Sequence, residues 1–299
     1  MGERLTWDRE GQGWPHRAAS RFPVVEGLKW HVQVMGRGPV LLLIHGTGAA
    51  THTWRDLAPL LADRFQVVAP DLPGHGFTDP LPPPQLSLDG MAEALAGLLR
   101  SLDRRPDVAV GHSAGAAILA RLCLDGQIAP RALVSLNGAL LPLRGMPGHL
   151  FSPAARLLAA LPLVSDLFAW RARAPGAVER LVRGTGSTLD LKGLELYRRL
   201  TGNPGHVAAA LAMMANWDLE RLERDLPRLA PKLFLLVAEG DRTVPPSEAR
   251  RVQVRVPAAR LVTLPRLGHL AHEEQPREVA ELIAGLAASV GIPAVRGAS

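Results

Sequence analysis

The stretch Gly111-His112-Ser113-Ala114-Gly115 constrains this chain more than any other. It follows the short apolar run Asp107-Val108-Ala109-Val110 and precedes a longer, Ala- and Leu-rich run that ends at Leu124. The first run predicts a buried strand and the second a helix. A chain that turns sharply from strand to helix here needs glycine on both sides of the serine, because a Cβ would crowd the turn. Ser113 is therefore expected on a strained turn, with its hydroxyl exposed above a sheet.

The rest of the chain repeats this alternation of short apolar runs and longer helical patterns. Continuous apolar runs of strand length are typical of a parallel sheet whose two faces are both covered by helices. We therefore predict an α/β fold with a mostly parallel central sheet. Residues 28–35 show partial two-residue alternation and predict an antiparallel edge strand, and residues 1–22 predict a loosely packed arm. The predicted core strands are residues 40–44, 65–70, 107–110, 131–137, 233–238 and 260–264.

Residues 140–217 interrupt the alternation. They contain no run typical of a core strand, and their helical patterns are separated by Pro and Gly. The predicted helices there are residues 153–160, 164–173, 176–182, 191–200 and 206–215. The sequence therefore predicts a core built from residues 1–139 and 218–299, with a helical lid, residues 140–217, inserted between two core strands.

Positive charge is concentrated in the predicted lid. The chain has a formal net charge of +6, and the segment from Leu140 to Trp217 has nine basic and four acidic residues, a surplus of five positive charges. Aromatic residues make up only 4% of the chain, too few for the stacking surfaces of a nucleic-acid-binding protein. The charge therefore favours an acidic small molecule, an acidic protein partner or peripheral contact with an anionic membrane surface, and no nucleic acid is expected as a partner.

The sequence also limits cofactors and compartment. Its one cysteine, Cys123, excludes an internal disulfide and a cysteine-rich zinc site. No metal-ligand cluster and no nucleotide-binding fingerprint stands out, so neither a metal nor a cofactor is expected. Residues 1–20 lack the apolar run of a signal peptide, and the longest uncharged stretches are shorter than the ~20 residues that span a bilayer. These features predict a soluble, cytoplasmic protein.

Three residues of complementary chemistry follow three predicted strands. Ser113 follows residues 107–110, Asp241 follows residues 233–238, and His269 follows residues 260–264. The carboxyl ends of parallel strands meet at one edge of the sheet, where ligands of open α/β folds gather. A serine hydroxyl becomes nucleophilic when a base accepts its proton and an acid orients that base. The order Ser, acid, His along the chain therefore predicts a catalytic triad of these three residues.

Other residues compete for these roles or support them. Glu239 is an alternative acid and His272 an alternative base, and each lies close to the preferred residue. The tetrahedral oxyanion of an acyl-transfer reaction needs hydrogen-bond donors, and the backbone N–H groups of Ala114 and Thr47 are the candidates for this oxyanion hole. The candidate substrate contacts are Gly46, His112, Asn137, Met213, Met214 and Trp217.

With these residues in place, the chain resembles the α/β-hydrolase fold superfamily over nearly its whole length. The family's successive signposts occur in order at His45-Gly46, Asp71–Gly76, Gly111–Gly115, Gly240-Asp241 and Gly268-His269. The chain also resembles the magnesium-chelatase accessory proteins of bacteriochlorophyll biosynthesis, at His45–Trp54, Ser135–Ala139, Arg183–Thr188 and Ala212–Trp217. The first resemblance implies an α/β-hydrolase fold, and the second implies a role in the photosynthetic pigment pathway.

Together, the residues and the resemblances predict a serine hydrolase that acts on an ester or related acyl substrate and is linked to magnesium-porphyrin and bacteriochlorophyll biosynthesis. The alternative is a non-catalytic factor that binds a porphyrin or assists the chelatase. Magnesium chelatase subunits are accordingly candidate partners. We also expect lid arginines at the mouth of a mostly apolar pocket, where they would bind the propionate groups of a porphyrin.

Three other reactions on this fold can be weighed from the residue at position 113. Haloalkane dehalogenases and epoxide hydrolases need a carboxylate there, and serine excludes both. A cofactor-free haloperoxidase or perhydrolase uses the same triad and stays open as an alternative.

Overall fold

A computed structural model of the protein describes residues 3–142 and 162–292. Its strands are Ser20–Arg21 (β1), Val24–Val25 (β2), Leu28–Lys29 (β3), Val32–Met35 (β4), Val40–Ile44 (β5), Gln66–Pro70 (β6), Val108–His112 (β7), Ala132–Leu136 (β8), Lys232–Ala238 (β9) and Arg260–Leu264 (β10). Its helices are Leu57–Ala62 (α1), Leu88–Ser101 (α2), Ala114–Leu124 (α3), Pro162–Ala172 (α4), Ala177–Gly184 (α5), Leu191–Thr201 (α6), Pro204–Ala215 (α7), Glu220–Asp225 (α8), Pro246–Arg255 (α9), Ala271–Glu274 (α10) and Pro276–Ser289 (α11).

Eight of the strands form one sheet in the order β1-β4-β6-β5-β7-β8-β9-β10, and β2 pairs with β3 separately. The six strands from β6 to β10 in this order are parallel, while β1 and β4 are antiparallel additions at one side. Apolar side chains bury both faces of the sheet: α2, α3, α8 and α9 contribute to one apolar layer, and α1 and α11 to the other. This arrangement confirms the predicted α/β fold with a mostly parallel, doubly covered sheet.

The arm and the edge of the sheet differ from the prediction. The edge strand is β1, from the predicted arm, and only Val32–Met35 of the predicted edge segment joins the sheet. Trp14 is buried, and its indole N–H donates to the hydroxyl of Thr51 across 3.1 Å. Trp14 therefore anchors the N-terminal segment on the core, because a buried tryptophan brings a large apolar surface even from a polar segment.

Helices α4 to α7 lie between β8 and β9, where the sequence predicts helices at residues 164–173, 176–182, 191–200 and 206–215. The predicted helix at residues 153–160 lies outside the described residues. Helices α5 and α6 pack on the core through a cluster in which Val182 and Tyr197 accompany Ala49 and Leu270. In the described parts of the chain, no helix combines the length and the apolar character needed to cross a bilayer.

Candidate active site

Ser113 lies between β7 and α3, in the strained conformation that the flanking glycines imply. Its φ of 53° and ψ of −120° are rare for a residue with a side chain and cost on the order of 1–3 kcal/mol. The turn has no room for a Cβ at the next glycine, because one at Gly115 would lie 2.2 Å from the carbonyl oxygen of Ile44. Ser113 is half-buried and begins a helix whose first N–H groups have no partner within the helix.

Asp241 and His269 form a buried pair at the ends of neighbouring strands. Oδ2 of Asp241 lies 2.7 Å from Nδ1 of His269, and Oδ1 accepts the backbone N–H groups of Thr243 and Val244 across 2.7 and 2.9 Å. Because a carboxylate oxygen accepts, Nδ1 of His269 carries the proton and Nε2 is left free to accept one. The pair therefore has the arrangement that an acid and a general base require.

The two alternatives are placed elsewhere. Glu239 is exposed, and no hydrogen bond joins its side chain to another described residue. His272 is completely buried, and its Nε2 lies 2.7 Å from the hydroxyl of Thr53. Burial, with the nearby His269 and Arg55, holds the pKa of His272 well below its usual value. Neither residue replaces its competitor in the pair.

Asn137 and His112 fix the backbone of His269. The side-chain amide of Asn137 donates to the carbonyls of Gly268 and His269 across 3.1 and 2.9 Å, and its oxygen accepts the N–H of Ala238 across 2.8 Å. Nε2 of His112 lies 2.9 Å from the same carbonyl of His269. Burial, with the neighbouring histidines, holds the pKa of His112 well below its usual value, so the neutral ring donates this bond.

These contacts differ from the substrate contacts expected of the two residues. Both side chains are buried, with 2% of His112 and 3% of Asn137 exposed. Because His112 directly precedes Ser113, its bond to the His269 carbonyl also ties the candidate base to the turn that carries the candidate nucleophile. The two residues therefore hold the backbone of the candidate base in place.

The loop after β5 carries Gly46 and Thr47 alongside the serine turn. A Cβ at Gly46 would lie 2.9 Å from that of Ser113, so glycine allows this close approach. His45 fixes the loop: its Nε2 accepts the N–H of Leu72 across 2.9 Å, which leaves Nδ1–H to donate to the carbonyl of Gly46 across 2.8 Å. The first N–H of α3, that of Ala114, and the half-buried Thr47 are thus brought to the same side of the sheet.

Helix α7 of the lid contacts the loop after β5 through His206, a histidine that the sequence did not single out. Nδ1 of His206, in α7, accepts the N–H of Gly76 across 3.1 Å, and Nε2 lies 3.1 Å from the carbonyl oxygen of Gly48. Burial lowers the pKa of His206 to about 4, so the neutral ring both accepts and donates. Nothing in the local sequence pointed to this role, because both partners lie more than 100 residues away.

The three apolar candidates for substrate contacts in the lid, Met213, Met214 and Trp217, differ in their burial. Met213 is buried, and its sulfur lies 3.5 Å from the hydroxyl oxygen of Thr47. Met214 is 52% exposed to solvent, and Trp217 is partly buried against the core. Consecutive helical residues point about 100° apart, so Met213 and Met214 cannot line one pocket. Of the three, only Met213 has a hydrogen-bonding contact with the loop after β5 among the described residues.

A lid segment between α5 and α6 contacts both loops of the acid–base pair. The carbonyl of Thr185 accepts the backbone N–H groups of Arg242 and His269 across 3.1 and 3.3 Å. The hydroxyl of Ser187 accepts the N–H of Leu270 across 2.8 Å. Both residues belong to the Arg183–Thr188 stretch that carries part of the resemblance, which was the sequence signal for this segment.

A buried polar cluster, formed by Thr53, Arg55, Tyr197, His272 and Glu273, makes a second link between the lid and the histidine loop. The hydroxyls of Tyr197 and Thr53 donate to Oε1 of Glu273 across 2.7 and 2.6 Å, and Arg55 forms an ion pair with the other oxygen. Tyr197 lies in α6, so one carboxylate holds a lid helix, the loop after β5 and the segment that follows His269. Among the described residues, no group of three His, Cys, Asp or Glu side chains is placed to hold a metal ion.

Comparison with known proteins agrees with this architecture. Residues 41–282 match the model of a family described as the alpha/beta hydrolase family. The magnesium-chelatase 30 kDa subunit of Rhodobacter capsulatus is 40% identical over 267 residues, which cover 87% of this chain and 91% of the relative. The pimeloyl-[acyl-carrier protein] methyl ester esterase of Methylococcus capsulatus is 29% identical and covers 85% of this chain and 98% of its own.

A solved structure shows the same fold. The crystal structure of an alpha/beta hydrolase fold protein from Burkholderia ambifaria superposes with a TM-score of 0.75 and 24% identity, over 95% of this chain and all of the other.

Proposed function

The chain belongs to the alpha/beta hydrolase family, and we propose that it is a serine hydrolase of ester or related acyl substrates, with Ser113, Asp241 and His269 as its catalytic triad. The observation that carries the proposal is the buried Asp241–His269 pair, 2.7 Å apart, at the edge of the sheet where Ser113 stands on its strained turn. A protein that only binds a ligand has no need of an oriented base at the sheet edge that carries such a serine.

The reaction follows from these positions. Nε2 of His269 accepts the proton of Ser113 as Oγ attacks the acyl carbonyl carbon, and Asp241 stabilises the imidazolium that forms. The oxyanion accepts hydrogen bonds from the backbone N–H groups of Ala114 and Thr47. His269 then returns its proton to the leaving alcohol. Water attacks the acyl-enzyme by the same route, and the acid is released with Ser113 restored.

His112 and Asn137 act in this proposal as positioning residues. They hold the carbonyl of His269 across 2.9 Å each, so the imidazole is fixed by its backbone as well as by Asp241. Preorganisation of this kind matters because a misplacement of about 1 Å can cost on the order of 10²-fold in rate.

The substrate is proposed from the relatives. The 40% identity to a protein named as a magnesium-chelatase subunit supports a role linked to magnesium-porphyrin and bacteriochlorophyll biosynthesis. The methyl ester esterase relative supports an ester as the scissile group. We therefore propose an ester of a porphyrin-like acid as the substrate, with chelatase subunits as candidate partners and the cytoplasm as the compartment.

A non-catalytic role is the second candidate, because the name of the same relative describes a chelatase subunit and no reaction of its own. Labelling with a fluorophosphonate separates the two. We expect the wild-type protein to be labelled at Ser113, identified by mass spectrometry of the peptide, and Ser113→Ala to remain unlabelled. A folded wild-type protein that resists labelling, and that fails to hydrolyse short-chain aryl esters, would favour the binding role.

A further inference from the structure

Helix α4 of the lid exposes several large apolar side chains. Its buried side is made of small residues, Ser165 and Ala169, and it packs on α7. Its other side exposes Leu163, Leu167, Phe168 and Trp170, by 78%, 52%, 54% and 67%. Leu163, Leu167 and Trp170 are spaced at i, i+4 and i+7 and share one face. Asp166 lies on the same side, at i+3 from Leu163. Four large apolar side chains exposed on one short helix have the composition of a contact surface.

Arginines border this apolar face. Arg171 lies on α4 itself and Arg173 one residue beyond its end, and α5 adds Arg180 and Arg183. All four are exposed, and none forms an ion pair with an acidic side chain among the described residues. The contrast within the lid is Arg198, which pairs with both Glu179 and Glu195. Positive charge that no acidic side chain neutralises therefore accompanies the apolar face of α4.

We propose that α4 docks the lid on an anionic lipid bilayer. A helix with exposed Leu, Phe and Trp side chains and arginines in and beside it can lie in the interface, its apolar side chains among the acyl chains and the arginines against lipid phosphates. Tryptophan favours this boundary because its ring is apolar while its N–H stays hydrated. At 11 residues the helix is about 16 Å long, the size of an element that lies on a bilayer and does not cross it.

Charge complementarity argues for lipid over an apolar protein groove. Asp166 is the one acidic side chain within α4, and the acid nearest in α5, Glu179, is already paired with Arg198. Each unpaired arginine near an anionic surface strengthens binding by roughly fivefold at low ionic strength. The docked helix would lie one layer from the candidate site, because α4 packs on α7 and Met213 of α7 contacts Thr47. This proposal does not depend on the proposed hydrolysis.

Flotation with vesicles tests the proposal on the full-length protein. We expect binding to phosphatidylcholine vesicles that contain about 30% phosphatidylglycerol, weaker binding to pure phosphatidylcholine, and weaker binding at about 1 M than at about 0.1 M salt. Leu167→Gln with Trp170→Gln should lower the partition coefficient at least roughly tenfold. The matched control is Val24→Gln with Val254→Gln, two valines that are 67% and 79% exposed elsewhere.

The charge is tested in the same way. Arg171→Gln with Arg173→Gln should lower partitioning on the order of tenfold or more, whereas Arg105→Gln with Arg250→Gln removes two exposed arginines outside the lid and should change it little. Brominated lipids should quench the fluorescence of the wild type more than that of Trp170→Phe. Circular dichroism and thermal unfolding verify that each variant is folded.

Two results would overturn the proposal. One is a failure of the vesicle test: the wild-type protein stays free of anionic vesicles at low salt, or the α4 variants bind these vesicles as well as their matched controls do. The other is a dimer in sedimentation velocity that the α4 variants dissociate, without vesicle binding. That result would assign the face to a second copy of the chain.

Discussion

Replacing Asp241 by asparagine is expected to stop catalysis by reversing the tautomer of His269. The orientation of the new amide is dictated by the structure. Its oxygen must face the two backbone N–H donors, of Thr243 and Val244, that Oδ1 accepts across 2.7 and 2.9 Å. The amide NH₂ group therefore faces Nδ1 of His269, which can pair with it only as an acceptor. The ring proton moves to Nε2, and the base can no longer accept the proton of Ser113.

The loss of kcat should be on the order of 10⁴-fold, equivalent to about 5.5 kcal/mol of transition-state stabilisation. The fold should survive, because the substituted side chain keeps the hydrogen bonds that Oδ1 makes and its bond to His269 changes only in direction. Hydrolysis of a short-chain p-nitrophenyl ester measures kcat, and circular dichroism with urea unfolding measures the fold. Glu239→Gln is the matched control, since it removes an exposed carboxylate two residues earlier in the chain.

The reasoning is refuted if Asp241→Asn keeps kcat within about tenfold of the wild type. A large loss in Glu239→Gln with little loss in Asp241→Asn would transfer the acid's role to Glu239. Loss in both, with both variants folded, would mean that the measured hydrolysis depends on the general charge near the site and not on an oriented pair.

Three further outcomes follow from the structure. Asn137→Ala should lower kcat by roughly 10²-fold, because the backbone of the candidate base loses a donor; ester hydrolysis measures it, and an unchanged kcat would contradict the positioning role. His206 has a pKa of about 4 in the folded protein and of about 6.5 in the unfolded chain, so protonation of this residue favours unfolding. The stability that neutral His206 contributes to the fold is complete above about pH 6.5, and roughly 3 kcal/mol of the free energy of unfolding is lost as the pH falls towards 4. Urea unfolding of His206→Gln should therefore show a shallower pH dependence across that window than the wild type. Gly115→Ala should unfold the protein or nearly so, because the new Cβ would lie 2.2 Å from a carbonyl oxygen. Gly285→Ala, in a helix where a Cβ would meet nothing within 4 Å, should be neutral or stabilise the protein by up to about 1 kcal/mol. Thermal unfolding compares the two variants.

The parts of the site that the sequence predicted are those that depend on strand ends. Asp241 and His269 follow parallel strands, so their meeting at one edge of the sheet follows from the fold class alone. The turn at Ser113 depends on glycines within two residues. The position of a residue at a strand end follows from the topology, and the turn follows from the local sequence. Both can be inferred from a single sequence.

The parts that it did not predict depend on where side chains point. His112 and Asn137 were placed at the correct edge, but the sequence did not predict that their side chains bind the backbone of the histidine loop. His272, the alternative base, is completely buried. Glu273 beside it pairs with Arg55, 218 residues earlier in the chain. A partner at that distance leaves no trace in local composition or periodicity.

The hydrogen bonds that Thr185 and Ser187 accept make the lid part of the scaffold of the candidate site. One carbonyl oxygen accepts from the loop of the acid and from the loop of the base, so a hinged opening of this segment would break hydrogen bonds to both loops. Access to the serine must come from movement elsewhere in the lid. For the same reason, a lid grafted from another hydrolase would bring a new substrate preference only if it also restored these backbone contacts, so specificity and reactivity are inherited together.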